Sequence, residues 1–260
     1  MPLVDYSASE GIATITLTNA PANTYSYQMM REIDDAVLTA RFDDDVHVIL
    51  IRGEGDRFFC AGADIAMLDA VTPGFKYAFC LHANETMLRL EHTPKLVIAA
   101  LNGHTVGGGL EIAMACDIRL GKAGGGKVGL PEVKLGVLPG TGGTQRLARL
   151  IGKAKALEMM VLGQNVAMEQ AQELGIINAV LPADGWWDHV LDYARQFTPP
   201  GHAAMAVGRI KRSVQSGAEV PLESGLALER ELQQQLFNSH DAGEGISAYN
   251  EKRKPEFKGA

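Results

Sequence analysis

Two glutamates in the sequence lie among apolar residues and glycines, where a charged side chain is poorly solvated. Glu111 follows the run VGGGL, and Glu132 follows the run VGLP. Because burial disfavours the charged form of a carboxylate and suits it to proton transfer, we interpret the two as a candidate acid–base pair. One structural alternative is that the N-terminus of its own helix stabilises Glu111. Another is that Glu132 is a loop carboxylate that pairs with Lys134 or Arg146.

Glycines at positions 107–109 stand where a helix is expected to begin directly after a strand. The first N–H groups of a helix have no partner within the helix and carry partial positive charge, so they can bind an anion or a developing oxyanion. The alternative is that the glycines serve only the close packing of strand and helix. At this cluster the spacing is neither that of a dinucleotide-binding fingerprint nor that of a phosphate-binding loop.

A third candidate feature is the stretch FCAGAD at 59–64, a sharp turn that could present another backbone N–H. Asp64 taken alone is more typical of a helix cap. His104 lies near the glycine cluster and could line a site, although a hydrogen-bonded structural histidine is the more frequent case. None of the seven histidines has the HxxH or HExxH spacing, so we expect no bound metal.

Composition excludes several classes of function. The chain has 260 residues and a formal net charge of −7, which argues against general binding to nucleic acid or to anionic membranes. We find no signal-peptide pattern and no apolar run near the roughly 20 residues that a membrane span needs. The three cysteines have no metal-ligand spacing, and we expect reduced, mostly buried thiols in a cytoplasmic protein.

Apolar runs separated by helical segments predict an α/β protein with parallel strand pairing. The predicted strands are 3–6 and 11–18, paired as a hairpin, and 46–51, 96–101, 118–120, 127–130 and 176–181. The predicted helices are 26–43, 64–70, 75–90, 107–115, 144–150, 154–162, a segment from 167 to Gly175, 185–198, 203–216, 222–239 and 243–252, and residues 52–62 are predicted as a loop. Pro199-Pro200-Gly201 is the clearest boundary, and it separates 1–198 from a helical region, 199–260.

Three motifs together carry a family resemblance. CAGADI at 60–65, NGHTVGGGLEIAMACD at 102–117 and GLPEVKLGVLPGTGGTQRL at 129–147 resemble the crotonase superfamily, specifically its enoyl-CoA hydratases. The resemblance extends to AGEGISAYNEKRKPEFKG at 242–259. It implies a crotonase-like spiral of ββα units over 1–198, followed by a helical region, 199–260, that packs subunits into trimers or hexamers. It also implies a coenzyme A thioester as substrate and no separate cofactor.

The resemblance also implies roles for individual residues. The backbone N–H groups of Ala63 and Gly108 would hold the thioester oxygen, while Glu111 activates the water and Glu132 delivers the α-proton. The turn around 61–65 would contact the CoA adenine through its backbone, which involves Ala61, Asp64 and Ile65. The related Δ3,Δ2-enoyl-CoA isomerases usually keep only the carboxylate that matches Glu132, so the presence of both glutamates favours hydration. Isomerisation, or hydration of a branched acyl group such as methylglutaconyl-CoA, is the alternative.

Other stretches leave alternatives open. The loop 19–26 lacks the basic residue that many hydratases carry, and the cluster of Lys252, Arg253, Lys254 and Lys258 could contact CoA phosphates or be a solvated tail. The first helix has two arginines against six acidic residues, which argues against the RNA binding known in one branch of the superfamily. We expect the acyl wall on the helix 75–90, with Phe75, Tyr77, Phe79 and Leu81 as candidates. The glycines at 140–143 are expected to position the Glu132 loop.

Overall fold

The structure, a computed structural model, describes residues 2–260 and contains two sheets enclosed by helices. The strands are β1 (Val4–Ser9), β2 (Ile12–Leu17), β3 (Val48–Gly53), β4 (Phe58–Cys60), β5 (Leu96–Leu101), β6 (His104–Val106), β7 (Ile118–Lys122), β8 (Lys127–Gly129), β9 (Asn165–Ala167) and β10 (Ala179–Leu181). The helices are α1 (Tyr27–Phe42), α2 (Ile65–Ala70), α3 (Pro73–His92), α4 (Gly108–Met114), α5 (Gly143–Ile151), α6 (Lys153–Leu162), α7 (Met168–Glu173), α8 (Trp186–Arg195), α9 (Ala204–Gly217), α10 (Leu222–Phe237) and α11 (His240–Glu251), and Glu132–Leu135 forms a 3₁₀ turn.

The larger sheet has the order β1-β2-β3-β5-β7-β10, and its pairs are parallel except for the β1–β2 hairpin. Every residue of β5 is buried, as is expected of a parallel strand covered by helices on both faces. The predicted strands 96–101 and 46–51 are confirmed, the second beginning two residues later at Val48. The α/β class with parallel pairing is thereby confirmed.

The smaller sheet, β4-β6-β8-β9, was mostly missed by sequence reasoning. Its strands have three residues each, too few for a periodic pattern, and β4 lies inside the segment that was predicted as a loop. Because β4, β6 and β8 run parallel, their carboxyl ends meet at one edge. The turn at 61–64, the glycines at 107–109 and the segment leading to Glu132 all leave the sheet at that edge.

Other element boundaries also differ from the predictions, and two of the differences have a clear local cause. The predicted strand 176–181 is paired only over β10, because the N–H groups of Ile176 and Ile177 both bond back to the Ala171 carbonyl at the end of α7. The predicted helix 243–252 begins earlier, at His240, where the hydroxyl of Ser239 accepts from the Ala242 N–H and caps it.

A buried ion pair ties the C-terminal helices to the α/β core. The ammonium of Lys211 on α9 lies 2.8 Å from Asp117 Oδ2 and donates to the Leu90 and Lys95 carbonyls at 2.7 and 3.0 Å. The Val97 N–H of β5 donates to the same carboxylate. All polar atoms of the pair are thus engaged, which is the condition under which a buried charge is tolerated.

We predict that Lys211→Met destabilises the fold by about 3 kcal/mol, because it leaves the Asp117 carboxylate buried without its counter-charge. Urea unfolding at neutral pH measures the change. The control is Arg149→Met, which removes an exposed ion pair with Glu219 and should cost less than about 1 kcal/mol. Equal losses in the two variants would contradict a special role for the buried pair.

Candidate active site

In the turn after β4, the N–H of Ala63 points away from Tyr25, the residue with which Ala63 is paired. Tyr25 and Ala63 form an isolated parallel bridge, in which the Tyr25 N–H donates to the Gly62 carbonyl and the Asp64 N–H donates to the Tyr25 carbonyl, both at 2.9 Å. A parallel bridge uses the groups that flank the central residue, so the N–H of Ala63 itself points to the other side. This N–H makes no hydrogen bond within residues 2–260.

The second such N–H belongs to Gly108, the first residue of α4, and it too lacks a partner in the described chain. A Cβ added at Gly62 would lie 3.2 Å from the Gly108 nitrogen, so the turn at 61–64 lies directly against the start of α4. Two unpaired donors are therefore presented side by side at the positive end of a helix. The sequence prediction that Ala63 and Gly108 lie together agrees with this geometry.

The glycines at 107–109 serve packing as well. A Cβ at Gly108 would lie 2.3 Å from the Tyr25 hydroxyl oxygen, and a Cβ at Gly109 would lie 2.1 Å from the Cys60 carbonyl. Gly107 has φ of +58° and ψ of −135°, a conformation essentially restricted to glycine. Close strand–helix packing and a free N–H are thus both present, and the two interpretations of this cluster are compatible.

Glu111 is buried, with 2% of its surface exposed, and three donors hold its carboxylate. Oε1 accepts from the N–H groups of Thr141 and Gly143 at 2.9 and 2.7 Å, and Oε2 accepts from the Thr141 hydroxyl. Gly143 is the first residue of α5, so the N-terminus of a second helix stabilises this charge. Glu111 also lies in the first turn of its own helix, as the alternative interpretation holds, but its hydrogen-bond donors come from the turn into α5.

Glu132 lies at the start of the 3₁₀ turn, and its carboxylate approaches Gly107: a Cβ there would be 3.1 Å from Oε1. Its Oε2 is buried and has no hydrogen-bond partner in the described residues. Burial raises the pKa of Glu132 to about 7, and repulsion from Glu111 adds to that shift, while Lys76 opposes it. The two glutamates therefore lie close enough to influence each other.

The ion-pair alternatives for Glu132 are wrong. Arg146 instead pairs with Glu91, with its Nε 2.7 Å from Oε1, and Lys134 makes no salt bridge with Glu132 within residues 2–260. The glycines at 140–143, which were expected to position the Glu132 loop, lead into α5 and have a further role. This segment holds Glu111 directly through its N–H groups, because it forms the turn into α5.

The other predicted residues have the following places. Asp64 caps α2, with Oδ1 accepting from the Ala66 and Met67 N–H groups, so the helix-cap interpretation is confirmed. The Ala61 N–H donates to the Ala22 carbonyl, and Ile65 is 55% exposed. His104 accepts from the Lys127 N–H through Nδ1, so its structural interpretation is confirmed.

Two residues around the site were missed by sequence reasoning. The hydroxyl of Thr141 bonds to Glu111, and the hydroxyl of Tyr25 lies 3.3 Å from that of Thr141. Tyr25 lies in the loop 19–26, for which the sequence indicated only the absence of a basic residue. The one sequence feature that points to Tyr25 is its position as an aromatic residue immediately before Ser26, which caps α1.

The four residues of α3 that were predicted to form the acyl wall differ in their exposure. Phe79 is buried and lies 5.8 Å from the Tyr25 ring, whereas Phe75, Tyr77 and Leu81 are exposed by 40–74%. Cys80, which was not among the candidates, has its Sγ 3.3 Å from the position of a Cβ at Gly140. The side of α3 that faces Tyr25 and the turn at 140–143 therefore carries Phe79 and Cys80.

No group of three or more metal-ligating side chains was found within the described residues 2–260, and none of their helices is long and apolar enough to cross a membrane. The three cysteines are free thiols, of which Cys60 and Cys116 are buried.

We predict that Glu132→Gln gains stability relative to the parent protein as pH rises from about 5 to about 8. The raised pKa means that the folded state binds this proton more tightly than the unfolded state, so the native glutamate loses stability as pH rises through that window. Urea unfolding at both pH values measures the difference, with the exposed Glu85→Gln as the charge-loss control. A relative stability that is constant or falls with pH would contradict the raised pKa.

Comparison with known proteins agrees with this geometry. Residues 7–260 match the family described as Enoyl-CoA hydratase/isomerase. A probable enoyl-CoA hydratase of Bacillus subtilis is 35% identical over 262 residues, covering 100% of both chains. A mitochondrial methylglutaconyl-CoA hydratase of Rattus norvegicus is 36% identical over 96% of this chain and 80% of its own.

Among solved structures, an enoyl-CoA hydratase crystal structure from Geobacillus kaustophilus has a TM-score of 0.97 and 44% identity, covering 100% of this chain and 98% of the other. Another from Bacillus anthracis has a TM-score of 0.93 and 30% identity, covering 99% and 100%. The sequence match, the spiral α/β architecture and the resemblance of the three motifs thus agree, and the chain belongs to the enoyl-CoA hydratase/isomerase family with its crotonase fold.

Proposed function

We propose that the protein adds water across the double bond of a 2-trans-enoyl-CoA thioester to give a 3-hydroxyacyl-CoA. The observation that carries the proposal is the placement of two interacting carboxylates, Glu111 and Glu132, beside two unpaired backbone N–H groups. Addition of water needs both a base for the water and a donor for the α-carbon. A pair of carboxylates in different environments can supply both.

The thioester oxygen is proposed to lie between the N–H groups of Ala63 and Gly108. Negative charge develops on this oxygen as the enolate forms, and fixed donors at a helix N-terminus stabilise that charge by several kcal/mol. Because both N–H groups are already oriented by β4, β6 and α4, little reorganisation is needed during the reaction.

Glu111 is proposed to activate the water and Glu132 to deliver the α-proton. Three hydrogen-bond donors hold the carboxylate of Glu111 in one position, from which it is proposed to accept a proton from the water. The pKa of Glu132, about 7, lets this group both carry and release a proton near neutral pH. The two titrations are coupled, so a pH–rate profile reports the pair and not either residue alone.

The turn at 61–65 is proposed to contact the CoA adenine. The N–H groups of Ala61 and Asp64 are used within the protein, so contacts from this turn would come from the Ala61 carbonyl and the exposed Ile65 side chain. Arg253 is engaged by Glu244 and Glu251. A CoA-phosphate role for the C-terminal cluster would therefore fall to Lys252, Lys254 or Lys258.

Double-bond isomerisation is the second candidate. It is favoured by Glu132, a half-buried residue whose carboxyl group, with a pKa of about 7, could take and return a proton by itself. A hydratase for a branched acyl group is favoured by the 36% identity to methylglutaconyl-CoA hydratase. A panel of straight, branched and 3-unsaturated enoyl-CoA thioesters, ranked by kcat/KM, separates these functions.

We predict that Glu111→Gln and Glu132→Gln each lower kcat for crotonyl-CoA hydration roughly 100- to 10,000-fold, with a much smaller change in KM. Loss of the conjugated enoyl-thioester absorbance measures the rate. If isomerisation is the activity, Glu111→Gln retains most of the rate with a 3-enoyl-CoA and no water is incorporated. A parent protein that acts on no enoyl-CoA in the panel would contradict the proposed function.

We further propose that region 199–260 assembles the chain into a trimer or a dimer of trimers, and that the protein acts in the cytoplasm. Free thiols support the second point. The first is supported by large apolar side chains on the C-terminal helices that are 44–85% exposed in the single chain: Ile210, Val214, Leu222, Leu226, Phe237, Ile246 and Tyr249. Exposed apolar surface of this kind is typical of a subunit interface.

We predict a native mass of three or six chains by light scattering. The double substitution Ile210→Glu/Val214→Glu places two charges on one face of α9, since both side chains are more than 60% exposed and stand four residues apart. It should lower the mass if that face lies in the interface. A parent protein with the mass of a single chain at micromolar concentration would contradict the assembly.

A further inference from the structure

Tyr25 contacts several parts of the proposed site although it carries none of the assigned chemistry. It is buried, with 2% exposed. Its backbone bonds to Gly62 and Asp64 on either side of Ala63, and its ring covers the Cα of Gly108. Its hydroxyl lies 3.3 Å from the hydroxyl of Thr141. One residue thus joins both proposed oxyanion donors, Ala63 through its backbone and Gly108 through its ring, to the residue that holds Glu111.

The direction of the hydrogen bonds follows from the number of protons. Thr141 has one hydroxyl proton, and it is donated to Glu111 Oε2, because an ionised carboxylate can only accept. The hydrogen between the two hydroxyls must therefore come from Tyr25. Burial, with a contribution from Glu111, raises the pKa of Tyr25 well above its usual value, so the hydroxyl remains protonated and able to donate.

We infer that Tyr25 is a positioning residue that holds the Glu111 carboxylate in one orientation through Thr141. Backbone N–H groups occupy Oε1, so Oε2 is the oxygen left to receive a proton. A proton on Oε2 would be donated to the Thr141 hydroxyl, which would then turn toward Tyr25. The Tyr25 hydroxyl would be left without an acceptor in the described residues, so the relay favours return of the proton.

Other titratable groups around this relay are few. Cys60 of β4 and Cys80 of α3 face Tyr25, and Glu132 faces Glu111 from the 3₁₀ turn, with Lys76 of α3 acting on Glu132. Burial raises the pKa of Cys60 to about 12, so this thiol stays neutral throughout the range considered. A change in the titration of Glu111 after the Tyr25 hydroxyl is removed must therefore be distinguished from the titration of Glu132.

The test compares Tyr25→Phe, which removes one hydroxyl from the relay, with Tyr6→Phe, which removes a buried hydroxyl that has no hydrogen-bond partner on β1. The first readout does not need activity. The carbonyl stretch of protonated Glu111 is followed by infrared spectroscopy against pH and assigned by its absence in Glu111→Gln. We expect Glu111 to become protonated at higher pH in Tyr25→Phe than in the parent protein. In Tyr6→Phe it should become protonated at the same pH as in the parent.

The second readout rests on the proposed function. Tyr25→Phe should lower kcat about tenfold with KM within about twofold, and the acidic limb of its pH–rate profile should move to higher pH. Thr141→Val should reproduce these effects, and the double variant Tyr25→Phe/Thr141→Val should show no further loss. Thr141→Ser, which keeps the hydroxyl, should behave as the parent protein does. An unchanged infrared titration in a folded Tyr25→Phe overturns the inference, whatever the activity. A parent protein without hydratase activity but with the infrared shift would overturn the proposed reaction alone.

Discussion

The site depends on holding one buried carboxylate, that of Glu111, in place through hydrogen bonds. Desolvation opposes the charge of Glu111, and the fold offsets this cost with N–H groups from a different helix. For that to happen, the N-terminus of α5 must meet the first turn of α4 within hydrogen-bond distance. The glycine at 143 is a consequence, since a Cβ there would lie 3.0 Å from Glu111 Oε1. The close approach of α4 and α5 is therefore set by electrostatics as much as by packing.

The small sheet performs the corresponding task for the backbone donors. Three parallel strands of three residues each bring residues far apart in sequence to one edge, and each then turns into a functional segment. The glycines allow the segments to approach at distances that a side chain would prevent. Tyr25 fills the space created in this way, so the smallest residues and a large aromatic ring are complementary parts of one arrangement.

The sequence predicted the main strands, the position of α4 and the candidate glutamates, because each has a strong local pattern. β5 is a continuous apolar run, and Glu111 and Glu132 are charged residues in apolar surroundings. What could not be predicted depends on contacts between distant residues. The donors to Glu111 come from a turn thirty residues later, the partner of Arg146 is Glu91 on α3, and strands β4 and β6 are defined by pairing and not by composition. The two glutamates lie near each other because the segments that carry them leave the small sheet at the same edge.

All seven residues of α4 are buried, whereas α3 has several exposed aromatic and aliphatic side chains. The two helices therefore differ in how freely their residues can change. A substitution in α4 disturbs packing on every side, while one on the outer face of α3 disturbs little. Such a division lets substitutions accumulate on the outer face of α3 in a lineage, while α4 and the segments packed against it are inherited intact.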